Sequence, residues 1–267
     1  MDKKKLSFSW RRLHGRDLTH ESVADDAMDQ HAMSWCGFCF VVAAVQCIQD
    51  RGNILRSKSS SPIRIDIQSI VDQFSNVYNR NACHGGRPTD VIECVVQNNC
   101  ILYRASSSTR WHGHPRELRD TLSRLPSNIP YTVTGYERPR TVEEVKRHIR
   151  NHGPVVLMIH SDNLKSVDAR GVATDLTPRP INHSVSVIGW TDDDCWIVRN
   201  SWGRTRVPRS IPVDMSCVSF QSNHCEVDWE PWVGDPRNPG FLYLPMRLAS
   251  LHPPNPSPWI APLVAIL

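Results

Sequence analysis

The sequence lacks a long apolar stretch, a strongly one-sided charge and a recognisable leader. Its 267 residues contain no apolar run of about 18 residues, so we expect no transmembrane helix. The formal net charge is +4, and the one basic run, at residues 3–5, is short and terminal, which argues against a nucleic-acid-binding protein. Residues 1–12 have no apolar segment typical of a signal peptide, so the sequence favours an intracellular location.

Composition does not favour a protein built on disulfides or metals. The nine cysteines are odd in number and follow no leader, so they do not predict a disulfide framework. Cys36 and Cys39 have the C-x-x-C spacing of some redox or zinc sites. A zinc site would need further ligands, and the candidates Cys217, His224 and Cys225 are poorly spaced for one. We therefore expect no metal and no cofactor.

The first half of the chain has helical patterns. A nearly continuous apolar run at residues 40–48 predicts a buried helix that begins at Cys39 and stops at the cation and glycine of residues 50–53. Residues 67–78 place apolar side chains on one stripe, which predicts a second helix. Thr89 is positioned to cap a third helix, which would carry the apolar residues between 91 and 96.

The second half is richer in strands. Residues 141–144 form a capping-box pattern, so we expect a helix that stops at the Gly-Pro pair 153–154. Apolar, β-branched runs then predict three strands, at residues 155–159, 185–190 and 195–198. A helical part (about 26–125) followed by a strand-rich part (about 126–248) predicts an α+β domain over residues 1–248, with a cleft between two lobes. Residues 249–267 form a separate Pro-rich, apolar tail.

Cys39, His183 and Asn200 stand in the order and at the spacing of a thiol-protease site. Such chemistry needs a thiol that loses its proton, an imidazole that takes it and a third group that orients the imidazole. The dipole of the predicted helix would lower the pKa of a thiol at position 39. The amide oxygen of Asn200 could accept the ring N–H of His183, and Trp202 could shield that hydrogen bond from water.

Four segments resemble the papain family of cysteine peptidases: residues 36–40 (CGFCF), 83–86 (CHGG), 182–183 (NH) and 196–203 (WIVRNSWG). The resemblance covers most of residues 8–205. It implies a papain-like two-lobed fold, with a central helix that starts at the nucleophile in the helical lobe and a β-barrel-like second lobe. It also implies hydrolysis of a peptide or protein substrate, with Cys39 as nucleophile and His183 as general base and then acid.

The resemblance implies roles for further residues. Gln30 would stabilise the oxyanion together with the backbone N–H of Cys39. Gly85, Gly86 and Trp202 would contact the substrate. Cys36 and Cys83 match the pair that normally bridges the nucleophile loop, although in a reducing compartment they would be thiols.

Residues 30–36 (QHAMSWC) resemble the mini-loop of the cathepsin X (or Z) group. Most family members place the glutamine six residues before the nucleophile, whereas here Met33 stands there and Gln30 lies nine residues before Cys39. The resemblance implies that His31, as a cationic donor, holds the C-terminal carboxylate of the substrate. It therefore favours a carboxypeptidase.

Two alternatives remain open at the level of sequence. One is a papain-like endopeptidase. The other is a catalytically silent papain fold used for binding, suggested by the bulky Phe38 and Phe40 beside the nucleophile. Short, leaderless and diverged members of the family occur in large DNA viruses, and this chain resembles them, which implies a virion or the host cytoplasm as its location.

Overall fold

The architecture comes from a computed structural model. It describes residues 8–10, 28–31, 35–56, 62–105, 114–119, 128–168, 171–192, 194–203, 206–208, 229–231, 241–245 and 264–266. The basic run at residues 3–5, the candidate zinc ligands Cys217, His224 and Cys225, and most of the Pro-rich tail lie outside these ranges.

Within the described residues the chain forms four α-helices, nine strands and two short 3₁₀ turns. The helices are α1 (Cys39–Leu55), α2 (Ile67–Val77), α3 (Pro88–Gln97) and α4 (Val142–His152). The strands are β1 (Phe8–Ser9), β2 (Gly135–Glu137), β3 (Val155–Ile159), β4 (His183–Trp190), β5 (Cys195–Arg199), β6 (Arg206–Pro208), β7 (Trp229–Pro231), β8 (Phe241–Pro245) and β9 (Val264–Ile266). The 3₁₀ turns are Ala82–His84 and Ser161–Leu164.

Strand β4 is the centre of a five-stranded antiparallel sheet. One edge of β4 pairs with β5, which in turn pairs with β8. The other edge is shared, since β3 pairs with the first part of β4 and β1 pairs with its last two residues, Gly189 and Trp190. Three helices thus precede a strand-rich second half, which confirms the α+β class predicted from the sequence.

The buried apolar residues form two clusters, one in each lobe. The first is built from α1, α2 and α3, with apolar residues from the loops that join them. The second lies between α4 and the sheet, and it includes Trp190 and Trp196. Helix α1 packs against α2, α3 and β4, so it lies at the seam between the two lobes.

A buried ion pair joins α1 to the sheet. The guanidinium of Arg199, on β5, donates to Asp50 Oδ2 over 2.7 Å, and both side chains are at most 1% exposed. Next to it, Arg51 Nε donates to the carbonyl of Pro154 over 3.1 Å. Removing one member of such a pair would leave an uncompensated buried charge, so the pair fixes how α1 sits on the sheet.

The predicted stop of α1 at residues 50–53 is wrong. The helix continues through Gly52 to Leu55, and Arg56 is the first extended residue. Gly52 lies against the ring of Tyr131, and a Cβ at this position would fall inside the van der Waals envelope of that ring. The glycine therefore permits a close contact with a distant residue and does not end the helix.

The remaining local predictions differ in outcome. Thr141 caps α4 by accepting a hydrogen bond from the Glu144 backbone N–H, as predicted, and α4 ends at Gly153, which has φ of 109°. The cap predicted at Thr89 is wrong, because α3 already begins at Pro88. A proline suits the first helical position, where its missing N–H costs no hydrogen bond.

Two disulfides lie in the helical lobe, contrary to the expectation from composition. Cys36 is bonded to Cys83, and Cys94 to Cys100. The first closes a separation of 47 residues, so it restricts the unfolded chain much more than the second, which spans six residues. The odd number of cysteines was therefore a poor guide to pairing, whereas the resemblance had pointed to the pair Cys36 and Cys83.

The last described residues of the chain pair with strand β2. Residues 264–266, in strand β9, form an antiparallel pair with β2, so this part of the predicted tail is a strand. None of the helices in the described ranges combines the length and the apolar character that a bilayer span requires.

Gly52→Ala tests the close contact between α1 and Tyr131. Alanine is the better helix former by up to about 1 kcal/mol. Even so, we expect the substitution to lower the free energy of unfolding by about 1 kcal/mol or more, because overpacking outweighs that gain. The measurement is urea unfolding of the variant and the parent protein.

The same substitution in a Tyr131→Ala background is the control. There the added methyl group meets no ring, so Gly52→Ala should raise the free energy of unfolding. A destabilisation of equal size in both backgrounds would contradict the packing explanation.

Candidate active site

Cys39 occupies the first position of α1, at the positive end of the helix dipole. Its sulfur faces three backbone N–H groups, those of Ser184, Phe40 and Cys39 itself. Burial raises the pKa of the thiol to about 11, and the three N–H groups act in the opposite direction. The contact with Ser184 places the sulfur one peptide unit from His183.

His183 begins β4, and Asn200 fixes its orientation. His183 Nε2 lies 2.8 Å from Asn200 Oδ1. An amide oxygen can only accept, so Nε2 carries the proton and Nδ1 is left bare in the neutral ring. Asn200 Oδ1 is itself held by the backbone N–H of Ser201 over 2.8 Å. The predicted function of Asn200, to select one tautomer of His183, therefore has the required geometry.

Trp202 stacks on the imidazole of His183. The ring centroids are 4.8 Å apart with an angle of 29° between the planes, and Trp202 is only 4% exposed. The indole therefore excludes water from one face of His183 and from its bond to Asn200. A hydrogen bond in such a low-dielectric environment is stronger than one in water.

Burial disfavours the charged form of each of the two reacting groups. Burial lowers the pKa of His183 to about 4, and the hydrogen bond to Asn200 offsets part of that shift. With the thiol pKa raised, neither group ionises alone at neutral pH. A proton that moves from sulfur to Nδ1 creates both charges together, so each stabilises the other. The chemistry therefore requires the two groups to act as a pair.

Gln30 is built into the wall beside the nucleophile. Its backbone N–H donates to the carbonyl of Ser201 over 2.8 Å, and its side-chain Nε2 donates to the carbonyl of Cys36 over 2.8 Å. The hydroxyl of Ser201 donates to Gln30 Oε1. These bonds fix the amide, whose second N–H has the chemistry of an oxyanion donor.

His31 lies beside the catalytic pair but not as the cation that sequence reasoning expected. Burial lowers its pKa to about 4, and the charge of His183 adds to that shift, so His31 is neutral at neutral pH. Its backbone N–H donates to Asp29 Oδ1 over 2.9 Å, and its ring lies against that of Trp35, with centroids 6.4 Å apart. Residues 32–34 of the mini-loop lie outside the described residues.

The Gly85–Gly86 pair lies on the other flank of the nucleophile loop. The disulfide between Cys36 and Cys83 brings the two segments together, and the backbone N–H of Gly37 donates to the carbonyl of Cys83 over 2.8 Å. A Cβ on Gly85 would meet nothing within 4 Å, whereas Gly86 packs against the ring of Phe40. Gly85 therefore borders open space beside the loop that carries Cys39.

Phe38 and Phe40, which suggested an obstructed nucleophile, point into the protein. Both are at most 1% exposed and belong to the apolar cluster of the helical lobe. Phe40 packs edge-on against Phe74 with centroids 5.2 Å apart. Neither ring therefore crowds the sulfur from the cleft, and the observation that favoured a silent fold no longer supports it.

Three groups at the site were not predicted from the sequence. The backbone N–H of Ser184 and the hydroxyl of Ser201 both follow a predicted site residue, so the motifs themselves held the signal. His160 lies close enough to His183 to influence its pKa, yet nothing in its sequence neighbourhood marks it. Within the described ranges no group of three His, Cys, Asp or Glu side chains could hold a metal ion.

Comparisons with known proteins agree with this geometry. The family described as "Papain family cysteine protease" matches residues 8–209. Cathepsin Z of Onchocerca volvulus is 25% identical over 217 residues, which are 74% of this chain and 66% of that protein. Cathepsin S of Bos taurus is 28% identical over 176 residues, 63% of this chain and 50% of that protein. The matched region thus spans about half to two thirds of these curated relatives.

Solved structures share the fold. A cysteine protease of Carica candamarcensis, solved in complex with E-64, superposes with a TM-score of 0.63 at 16% identity and covers 97% of each chain. Bromelain from Ananas comosus gives a TM-score of 0.63 at 17% identity and covers 98% of each chain. The fold is therefore the two-lobed, papain-like α+β fold. From the family match over residues 8–209, we conclude that this chain belongs to the papain family of cysteine proteases.

Proposed function

We propose that the protein is a cysteine peptidase that removes residues from the C-terminus of peptide substrates. The observation that carries the peptidase assignment is the contact of the Cys39 sulfur with the Ser184 N–H, beside an imidazole that Asn200 holds in the Nε2–H tautomer. The observation that supports the C-terminal preference is His31, half-buried and close enough to His183 for the charge of that ring to lower its pKa.

The reaction would begin when Nδ1 of His183 takes the thiol proton of Cys39. The thiolate attacks the scissile carbonyl, and the oxyanion that develops there accepts hydrogen bonds from Gln30 Nε2 and the Cys39 backbone N–H. The imidazolium then gives its proton to the leaving amine, which departs and leaves a thioester on Cys39. His183 next deprotonates a water molecule that attacks the thioester, and the collapse of this second intermediate releases the acid product and returns the proton to sulfur.

Recognition of the chain end would fall to His31. A C-terminal carboxylate beside the ring would accept its N–H and, as an opposite charge, raise the pKa of the imidazole. The substrate would thus draw a proton onto His31 and complete a charge-assisted hydrogen bond. An amidated or continuing chain provides no such charge and leaves His31 neutral.

A free-ended peptide and its C-terminally amidated twin test the activity. With the parent protein we expect stepwise shortening of the free-ended peptide, and little product from the amide, with products identified by mass spectrometry. Cys39→Ala should abolish the products, and His183→Ala should lower the rate by about 10²- to 10⁴-fold, since general-base catalysis is lost.

Other product patterns separate the alternatives. Internal cuts in both peptides that require Cys39 would retain the peptidase and contradict the carboxypeptidase. If neither peptide yields a product that depends on Cys39, the proposed activity is wrong.

The pH dependence of the preference tests His31. Protonation of His31 increases as the pH falls from neutrality toward about 4, while a terminal carboxylate stays largely ionised. We therefore expect the ratio of the free-acid rate to the amide rate to rise over that range. Taking the ratio cancels the loss of catalytic power that both substrates share.

His31→Phe is the matched variant, because it keeps an aromatic ring beside Trp35 and removes the N–H. It should reduce the ratio by roughly 10- to 100-fold, the value of a hydrogen bond between charged groups, and make it independent of pH. A ratio that keeps its size and its slope in His31→Phe would rule out this function of His31.

A further inference from the structure

A turn at the end of β3 holds the residue that precedes the catalytic histidine. The backbone N–H of Asn182 donates to the carbonyl of Ile159 over 3.1 Å, and Asn182 Oδ1 accepts from the backbone N–H of Ser161 over 2.8 Å. Asn182 Nδ2 then lies 3.1 Å from His160 Nε2. The bond from Ser161 fixes which end of the amide is oxygen, so the NH₂ group is the end that faces His160.

This arrangement restricts the protonation of His160. An amide NH₂ can only donate, so Nε2 of His160 has to be the bare nitrogen for the contact to be a hydrogen bond. In the neutral ring the proton is then on Nδ1, which lies 3.7 Å from the carboxylate of Asp162. A protonated ring carries N–H on both nitrogens, and its Nε2–H would oppose the NH₂ group of Asn182.

His160 Nδ1 also faces the backbone N–H of Asp162, 3.2 Å away. A neutral imidazole has one acceptor nitrogen, so it cannot accept from Asp162 and from Asn182 at once. The ring therefore has two neutral arrangements, and the one with hydrogen on Nδ1 is the one that holds Asn182. A protonated ring has no acceptor nitrogen, so it accepts a hydrogen bond neither from Asn182 nor from Asp162.

Charges around His160 are nearly balanced. Asp162 is paired with Lys165 at 2.6 Å, and Asp175 with Arg179 at 2.9 Å. Burial lowers the pKa of His160, so its ring is neutral at neutral pH. The titratable and charged groups that act on or respond to it are Asp162, Lys165, Asp175, Arg179 and His183.

We propose that His160 is a positioning residue for the catalytic histidine, and that it acts through Asn182. With its hydrogen on Nδ1, the neutral ring of His160 anchors the peptide that leads into His183. Protonation releases the anchor and places a second positive charge near the imidazolium that catalysis requires. The acidic limb of the reaction therefore contains the titration of His160 as well as that of the Cys39–His183 pair.

The rate of Cys39 alkylation by iodoacetamide, followed from pH 4 to pH 9 on the full chain, tests this inference. The reagent is uncharged and small, and modification is counted at Cys39 by peptide mass spectrometry. His160→Gln keeps an amide oxygen that can accept from Asn182 but cannot take a proton. We expect its acidic limb to move to lower pH by about 0.5 unit, so that alkylation there is about threefold faster than in the parent.

His148→Gln is the matched control. His148 is a histidine of similar exposure on α4 whose ring faces Glu137, 3.3 Å away, and burial lowers its pKa too. Its alkylation profile should coincide with that of the parent. An equal shift in His148→Gln would overturn the proposal, because the effect would then come from loss of any histidine charge.

A second variant separates anchoring from charge. His160→Ala removes both the acceptor for Asn182 and the titratable charge. At neutral pH we therefore expect its kcat to be several-fold lower than that of the parent at an unchanged KM. His160→Gln, which keeps an acceptor, should retain most of the parent's kcat. Coincident profiles for His160→Gln and the parent would overturn the proposal, whether or not His160→Ala folds.

The inference rests on the thiol–imidazole pair of the proposed function, and alkylation reads that pair without a substrate. A shifted profile in a protein that cuts no peptide would support the inference and reject the proposed function. An unshifted profile in an active peptidase would reject the inference and support the proposed function.

Discussion

The buried ion pair between Asp50 and Arg199 determines how the two lobes meet. Two charges that are almost fully withdrawn from water tolerate little relative movement, because a lengthened contact would leave each of them unsolvated. The pair locks helix α1 to strand β5, and β5 is paired with β4. The first residue of α1 is Cys39 and the first residue of β4 is His183, so the contact ties together the two elements that carry the reacting groups. The position of α1 on the sheet therefore affects the geometry of the catalytic pair.

The enclosure of the site also favours the neutral form of each titratable group in it. Cys39, His183 and His31 all lose hydration on folding, and each has its pKa moved toward the neutral form. Fixed dipoles that point toward such an enclosed site stabilise the charges that develop there. The helix terminus, the Ser184 N–H and the Asn200 oxygen act more strongly here than they would in water, because there is little solvent to compete with them. Trp202 maintains that condition by covering one face of the imidazole.

Sequence reasoning succeeded where a residue's function depends on its neighbours in the chain. The helix cap at Thr141 and the strand at residues 155–159 follow from local patterns, and the order of Cys39, His183 and Asn200 follows from motifs. It failed where the partner is distant. Gly52 looked like a helix stop because its contact with Tyr131 is 79 positions away, and the charge of His31 could not be deduced before its burial was known. A glycine or a histidine has several uses, and tertiary contacts select among them.

A fall in pH would affect the proposed reaction in opposite ways through the two accessory histidines, His31 and His160. Protonation of His31 would strengthen the grip on a substrate carboxylate, whereas protonation of His160 would weaken the support of His183. Burial lowers the pKa of both, but through different contacts: His31 lies beside His183 itself, while His160 is flanked by the Asp162–Lys165 and Asp175–Arg179 pairs. A substrate carboxylate held by His31, as proposed, would raise the pKa of that ring more than the pKa of His160, because the negative charge would lie beside His31. In the proposed mechanism, binding of a free chain end would therefore allow His31 to be charged at a pH where His160 is still neutral, and we expect the reaction to be favoured in that interval.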